Sequence, residues 1–206
     1  MTSIFSELLA HPGVEEGVVL RSGFGIMAFH GGLEGGTSEI AIDAANLAEA
    51  SLYTVTQPSD LVWHVPSHRV VQHASDRLAR FLDHVHAVVA VHGYGRPDRP
   101  RQLLLGGQDR ELAAALAGTL RAHLPDYDVV DDLDAMPKEM RGIHADNPVN
   151  CAARGGVQLE LPPSIRGSST SPRDRGRPCS PDPRLAVALA EFARDQSISN
   201  VPPARQ

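Results

Sequence analysis

The chain has 206 residues, of which 42% are hydrophobic and 21% are charged. This length and composition are typical of one globular domain with a sizeable core, so residues 1–206 are predicted to form a single domain. The formal net charge of −6 argues against a nucleic-acid partner, because such proteins normally carry a clustered basic face.

Membrane and export signals are not evident in the sequence. No apolar run approaches the roughly 18–20 residues that a membrane helix needs, and the N-terminus lacks the basic and apolar regions of a signal peptide. Cys151 and Cys179 are too far apart for a Cys-x-x-Cys unit and too few for a disulfide framework. One disulfide between loops remains an alternative, but two free thiols are the simpler interpretation. We therefore expect a cytoplasmic protein without a membrane partner.

Strand and helix patterns alternate along the chain, which indicates an α/β fold with a largely parallel or mixed sheet. Strands are predicted at 25–29, 52–55, 87–91, 102–105, 127–130 and 156–161. Helices are predicted at 38–50 (with Thr37 as the N-cap), 70–82, 111–124 and 184–196. The segment 167–183 is rich in Ser, Pro, Arg and Gly, and is predicted to be a mobile loop.

Two of the predicted strands end in the same dipeptide, His-Gly. His30 follows the first strand and His92 follows the third, and ligands of α/β sheets bind beyond the carboxyl ends of the strands. Glu34 lies four residues after His30 in a Gly-rich turn. Two His and one Glu form a catalytic zinc site that leaves one position for water. Alternatively, each His has a structural role, or the glycines before Thr37 bind an anion at a helix N-terminus.

Four segments, in the right order, resemble motifs of the phage and bacterial poly-γ-glutamate hydrolase family, relatives of the zinc carboxypeptidases. They are HGGLEGGTSEIA, DLVWHVPSH, AVVAVHGYGR with LLLGGQDREL, and NPVNCAARGGVQLELPPSIR. The usual first motif has one more residue between its His and its Glu. The resemblance covers most of residues 20–166 and implies a three-layer α/β/α fold with a central mixed, largely parallel sheet.

The resemblance also implies roles for individual residues. His30, Glu34 and His92 would bind one Zn²⁺ or another divalent ion, and Glu160, at the end of a buried strand, would be the general base. A solvent-facing Glu at a strand end is the alternative. His64 is a candidate partner that orients a ligand, or a structural His. Candidates for binding the substrate are Arg154, Arg166, Arg96 and Asn150, since arginine binds carboxylates through a bidentate fork.

The predicted function is therefore zinc-dependent hydrolysis of γ-glutamyl or related amide bonds. Two alternatives remain open. The substrate could be a small N-acyl amino acid or a cell-wall γ-glutamyl peptide, or the chain could be a non-catalytic metal-binding remnant of a prophage.

Overall fold

The computed structural model describes residues 3–169, 171, 173 and 176–199. The strands of this part of the chain form one seven-stranded sheet. The strands are, in chain order, β1 (Glu15–Val19), β2 (Phe24–Gly31), β3 (Ser51–Thr56), β4 (Ala87–Gly93), β5 (Gln102–Gly106), β6 (Asp128–Val130) and β7 (Gly156–Leu161). The α-helices are α1 (Ile4–Leu9), α2 (Thr37–Ala48), α3 (Asp76–His84), α4 (Arg110–His123), α5 (Pro163–Arg166) and α6 (Pro183–Ser199).

The strands are arranged in the order β1-β3-β2-β4-β7-β5-β6. The central strands β3, β2, β4 and β7 are parallel to one another. β1 is antiparallel to β3, and β5 is antiparallel to β7 but parallel to β6. The predicted mixed, largely parallel sheet is therefore confirmed, and β2, β4 and β7 all end at the same edge.

Helices cover both faces of the sheet. α6 packs against α2 and α4 on one face, over a core that includes Ile26, Val89 and Leu159. α1 and α3 lie on the other face, over Met27 and Val88. Because both faces are covered, the central strands are apolar along almost their whole length, which explains their solid hydrophobic runs. The three-layer α/β/α architecture is confirmed.

The predicted helix at 70–82 was wrong in its first half. The helix begins at Asp76 because the side chain of Ser75 accepts hydrogen bonds from the backbone N–H groups of Arg77 and Leu78. The preceding segment forms two short 3₁₀ helices, Ser67–Arg69 and Gln72–Ala74. The short elements α1 and β1 were not predicted, since neither is long enough to show a clear period in the sequence.

The remaining differences are at element ends and in the tail. Gly36, not Thr37, is the N-cap of α2, and Thr37 is its first residue. The last helix runs from Pro183 to Ser199, close to the predicted 184–196. Residues 170, 172, 174 and 175 of the predicted mobile loop, and 200–206 of the predicted single domain, lie outside the described residues. No helix in the described part of the chain is long and apolar enough to span a membrane.

Candidate metal centre and active site

The central strands bring three of the predicted site residues to one edge of the sheet. His30 lies at the end of β2, His92 at the end of β4, and Glu160 near the end of β7. His92 and Glu160 are direct partners in the register of the parallel pair β4 and β7. Residues that are far apart in the sequence are therefore neighbours here because their strands are parallel and adjacent.

Glu34 reaches this edge through a tight turn after β2. Its backbone N–H donates to the carbonyl of His30 at 2.8 Å, which closes the turn over four residues. Gly32 has a φ of +78°, and a Cβ there would lie 1.9 Å from the carbonyl oxygen of Gln57. The turn therefore requires glycine at this position, and it brings the Glu34 carboxylate back to within 2.9 Å of His30 Nδ1.

The carboxylate of Glu34 lies between the two strand-end histidines. Its Oε1 contacts His30 Nδ1, and its Oε2 lies 3.6 Å from His92 Nδ1. Oε2 also accepts a hydrogen bond of 2.8 Å from the backbone N–H of Gly93. The centroids of the His30 and His92 rings are 5.0 Å apart. The carboxylate of Glu34 thus contacts one imidazole directly, and the second imidazole lies slightly farther from its other oxygen.

The orientation of His30 is set by its second nitrogen. Nε2 lies 2.8 Å from the carbonyl oxygen of Val65, so Nε2 carries a proton and donates it. This leaves Nδ1 facing Glu34, which is the arrangement of a metal-binding histidine held by a backbone carbonyl. Burial alone would lower the pKa of His30, but Glu34 and the Val65 carbonyl outweigh burial and raise it. Burial opposes ionisation of Glu34, yet His30 and His92 lower its pKa well below the usual range.

His64 lies closer to this centre than predicted. Its ring centroid is 4.9 Å from that of His30, and donor atoms of His30, Glu34 and His64 lie within 4.8 Å of one another. Unlike His30 and His92, His64 is exposed. Burial of part of the ring, together with the nearby His30, lowers the pKa of His64. Among the described residues, the donor atoms that come close enough together to share one ion are those of His30, Glu34 and His64, and His92 lies just outside this set.

Glu160 is 8% exposed, so it is not the solvent-facing strand-end residue that was the alternative. Burial raises its pKa to about 7, with the negative charge of Glu34 acting in the same direction and His92 opposing. Its Oε1 accepts a hydrogen bond of 2.8 Å from Gln158 Nε2. A carboxylate with a pKa near neutrality is suited to accept and return a proton.

The residues present fit a zinc ion. Imidazole nitrogens and a carboxylate are typical zinc donors, and three protein donors leave a position for water. Within the described part of the chain, His92 Nε2 is a buried nitrogen without a hydrogen-bond partner. The nitrogen of His92 that faces Glu34 is Nδ1, at 3.6 Å from Oε2, so the fit to zinc rests on the chemistry of the donor set and not on the unsatisfied Nε2.

A cleft of about 850 Å³ opens beside Glu34. Its walls come from the turn after β2, the segment around Gln57 and Val62, the turn after β4, and parts of 166–179. Cys179 closes one side, and a Cβ on Gly35 would lie 2.9 Å from its sulfur. Cys179 and Cys151 are both free thiols.

Arg166 lines this cleft but is largely occupied by structural contacts. The side chain is 5% exposed, and it donates to the carbonyl oxygens of Leu161 at 3.1 Å, Gly35 at 2.6 Å and Tyr94 at 3.0 Å. One guanidinium thus connects the end of β7 to the turns after β2 and β4. Burial lowers the pKa of Arg166, with Glu34 opposing.

The other predicted substrate-binding residues do not line the cleft. Arg154 precedes β7, at the opposite edge of the sheet, where it pairs with Asp109 at 2.7 Å. Asn150 donates to the carbonyls of Gly142 and His144 and accepts from the backbone of Gln108, so it stabilises a loop. Arg96 is just beyond the turn after β4 and pairs with Glu139.

Two buried polar residues near Glu160 were not predicted from the sequence. Asn147 and Gln158 are 2% and 3% exposed, and they are joined by a hydrogen bond of 2.7 Å. One sequence signal was available, because Gln158 interrupts the apolar run of β7 at the position two before Glu160 and so shares its face of the sheet.

Comparison with known proteins identifies a family and a fold. A sequence model described as poly-gamma-glutamate hydrolase matches residues 5–173. A bacteriophage poly-gamma-glutamate hydrolase superposes with a TM-score of 0.69 and 23% identity, covering 91% of this chain and 89% of that one. The zinc-free apo form of YNDL gives the same TM-score and identity, with 91% and 90% covered.

A more distant structural neighbour is a metallo-carboxypeptidase from Burkholderia cenocepacia. It has a TM-score of 0.51 and 8% identity, covering 95% of this chain and 68% of that one. A comparison with curated protein sequences gave no match. Because the family match extends over most of the chain, the protein belongs to the poly-gamma-glutamate hydrolase family and is a hydrolase with a zinc carboxypeptidase-like fold.

Proposed function

We propose that this protein is a zinc-dependent amide hydrolase that cleaves γ-glutamyl bonds, with His30, Glu34 and His92 as the metal ligands. The observation that carries the proposal is the Glu34 carboxylate between the Nδ1 atoms of His30 and His92, with Glu160 beside His92 on the next strand. His64 is the competing third ligand. We favour His92 because it is buried on a central strand, whereas His64 is exposed on the segment after β3.

The residues around the centre divide the chemical work. Zinc, when bound, would lower the pKa of water toward about 7 and polarise the scissile carbonyl. Glu160 would accept the proton of the attacking water and return it to the leaving nitrogen. In the zinc-free protein burial raises the pKa of Glu160 to about 7, so this carboxyl can be both protonated and ionised near neutral pH.

The cleft and the family together favour a γ-glutamyl substrate. Arg166 and Arg177 both line the cleft, and γ-linked glutamate carries a free carboxylate on each residue. Arg166 uses three of its five N–H donors on backbone carbonyls, which leaves two for a ligand. Arg154, Asn150 and Arg96 are not retained in this proposal, because none of them lines the cleft.

The test is turnover of poly-γ-glutamate by the wild type and by Glu160→Gln, with zinc and with a chelator. Loss of the proton acceptor should lower kcat by about 10²-fold or more, while zinc content stays unchanged because Glu160 is not a ligand. Glu111→Gln is a matched control, since Glu111 is 94% exposed on α4. Turnover close to wild type in Glu160→Gln would remove Glu160 from the mechanism.

Two further results of this assay separate the alternatives. Cleavage of short γ-glutamyl amides or N-acyl amino acids, but not of the polymer, would identify a small-substrate enzyme. Zinc binding without hydrolysis of either class would indicate a non-catalytic protein.

A further inference from the structure

A chain of three buried side chains ends at the proposed general base. Asn147 Nδ2 donates to Gln158 Oε1 at 2.7 Å, and Gln158 Nε2 donates to Glu160 Oε1 at 2.8 Å. All three residues are less than one-tenth exposed. In such surroundings each hydrogen bond is strong, and an unmatched donor or acceptor is costly.

The direction of this chain is set by the backbone. The N–H of Val149 donates to Asn147 Oδ1 at 3.3 Å, and a backbone N–H can only donate. Asn147 must therefore present its NH₂ group to Gln158, so Gln158 presents its oxygen to Asn147 and its NH₂ group to Glu160. The backbone N–H of Val149, 11 residues before Glu160, thus determines that the Glu160 carboxylate faces a hydrogen-bond donor.

Packing holds Gln158 in this orientation. Gly142 has a φ of +60°, and a Cβ there would lie 2.8 Å from the Gln158 side chain. The carbonyl of Met140 lies 3.5 Å from Gln158 Nε2, on the donor side of the amide. If the Gln158 amide were reversed, its oxygen would face two acceptors, the Met140 carbonyl and the Glu160 carboxylate. In the observed orientation this oxygen faces no acceptor.

We infer that Asn147 and Gln158 are positioning residues that fix the Glu160 carboxylate, with Oε1 held and Oε2 left to accept the proton. The catalytic meaning of this inference rests on the proposed function, but the hydrogen-bond polarity does not. Gln158 also favours the ionised form of Glu160, against the burial that raises the pKa of this carboxyl.

Asn147→Asp tests the chain from its far end without touching Glu160. The new carboxylate still accepts from Val149 but has no N–H for Gln158, so the Gln158 amide reverses and presents its oxygen to Glu160. We expect kcat on poly-γ-glutamate to fall by about 10-fold, the scale for residues that orient a catalytic group, while KM and zinc content stay unchanged. Asn150→Asp is the matched control, because it perturbs the same loop outside the chain.

A second readout uses zinc-free protein and no substrate. At pH 8.5, Asn147→Asp should lower the melting temperature by about 5 °C, because acceptors then face each other in a buried site. In the Glu160→Gln background the loss should be at most half as large. The amide introduced by that substitution can donate to the oxygen of the reversed Gln158 side chain, which restores the bonds among the three side chains. The bond of 3.2 Å from Asn147 Nδ2 to the Gly142 carbonyl stays lost in both backgrounds.

A third background, Gln158→Met, tests whether the effect is simple repulsion between the new carboxylate at position 147 and Glu160. With Gln158→Met the chain is broken, so Asn147→Asp should cost the same with Glu160 as with Glu160→Gln. Two results would overturn the inference. The first is that Asn147→Asp lowers the melting temperature equally with Glu160 and with Glu160→Gln while Gln158 is present. The second is that Glu160→Gln still reduces this loss when Gln158 is replaced by Met. These outcomes are independent of the proposed function, which fails if the wild type with zinc cleaves neither the polymer nor short γ-glutamyl amides.

Discussion

At the scale of single residues, Glu34 connects the two halves of the candidate metal centre. Its two oxygens contact His30 on one side and Gly93 on the other, and His92 lies just beyond. The carboxylate is 14% exposed, so the centre is reached from the cleft while the histidines stay buried. A charged group in this position must be paired, and the pairing lowers its pKa.

The choice between His92 and His64 as the third ligand is a prediction at this scale. Loss of a residue that supports a ligand without binding the metal typically lowers metal affinity by about 10–100-fold. We expect His92→Ala to lower zinc affinity by more than this, and His64→Ala to lower it by no more than this. Competition titration against a chelator would measure both affinities. A larger loss for His64→Ala would assign the third ligand to His64 and leave His92 as its neighbour.

At the scale of elements, the turn from β2 into α2 determines whether Glu34 reaches the centre. Gly32→Ala should unfold this turn or displace it, because its Cβ would overlap the Gln57 carbonyl at 1.9 Å and φ is positive. We expect a loss of stability of about 2–4 kcal/mol, the usual range for a clash or strain in a packed region, together with weaker zinc binding.

Gly118→Ala is the matched control for this substitution. Gly118 is exposed on α4, and a Cβ there would meet no atom within 4 Å. The same chemical change should raise stability by about 0.5–1 kcal/mol, because alanine favours a helix interior over glycine. Thermal or urea unfolding of both variants would measure the difference. If Gly32→Ala were also neutral, the turn would not need its backbone geometry.

At the scale of the whole molecule, the cores are far larger than the metal centre. The two large clusters of buried apolar residues are built mainly from strand and helix interiors, and the centre touches one of them at Phe29, whose ring centroid lies 4.8 Å from that of His30 and 4.7 Å from that of His92. A metal at the edge of such a sheet adds stability without being required for folding, in contrast to a zinc finger.

Zinc removal should therefore leave the protein folded but less stable. With free zinc at 1,000 times its Kd, binding adds about 4 kcal/mol, which corresponds to a melting temperature about 8–16 °C above that of the chelated protein. Far-ultraviolet circular dichroism should stay unchanged when a chelator is added. Loss of the helical signal on chelation would show that the cores need the metal, contrary to this expectation.

Much of the candidate site was visible in the sequence because its residues lie at strand ends. The dipeptides His30-Gly31 and His92-Gly93 follow apolar runs, and parallel strands bring their carboxyl ends together. Arg154 was also predicted to belong to the site, because it is a charged residue close to β7 in the sequence. It precedes the strand, however, and so lies at the other edge of the sheet. Arg154 and Glu160 are close to β7 in the sequence, but they lie near opposite ends of the strand and so at opposite edges of the sheet.

The sequence by itself indicated the α/β class, the central strands and a candidate set of His and Glu donors, because periodicity and strand-end residues are local properties. Only the tertiary structure decided that His64 competes with His92, that Arg166 is held by three backbone carbonyls, and that Asn147 and Gln158 form a chain to Glu160. These depend on contacts between loops and strands that are distant in the sequence. Hydrogen-bond direction and burial arise from such contacts, so no local pattern could specify them.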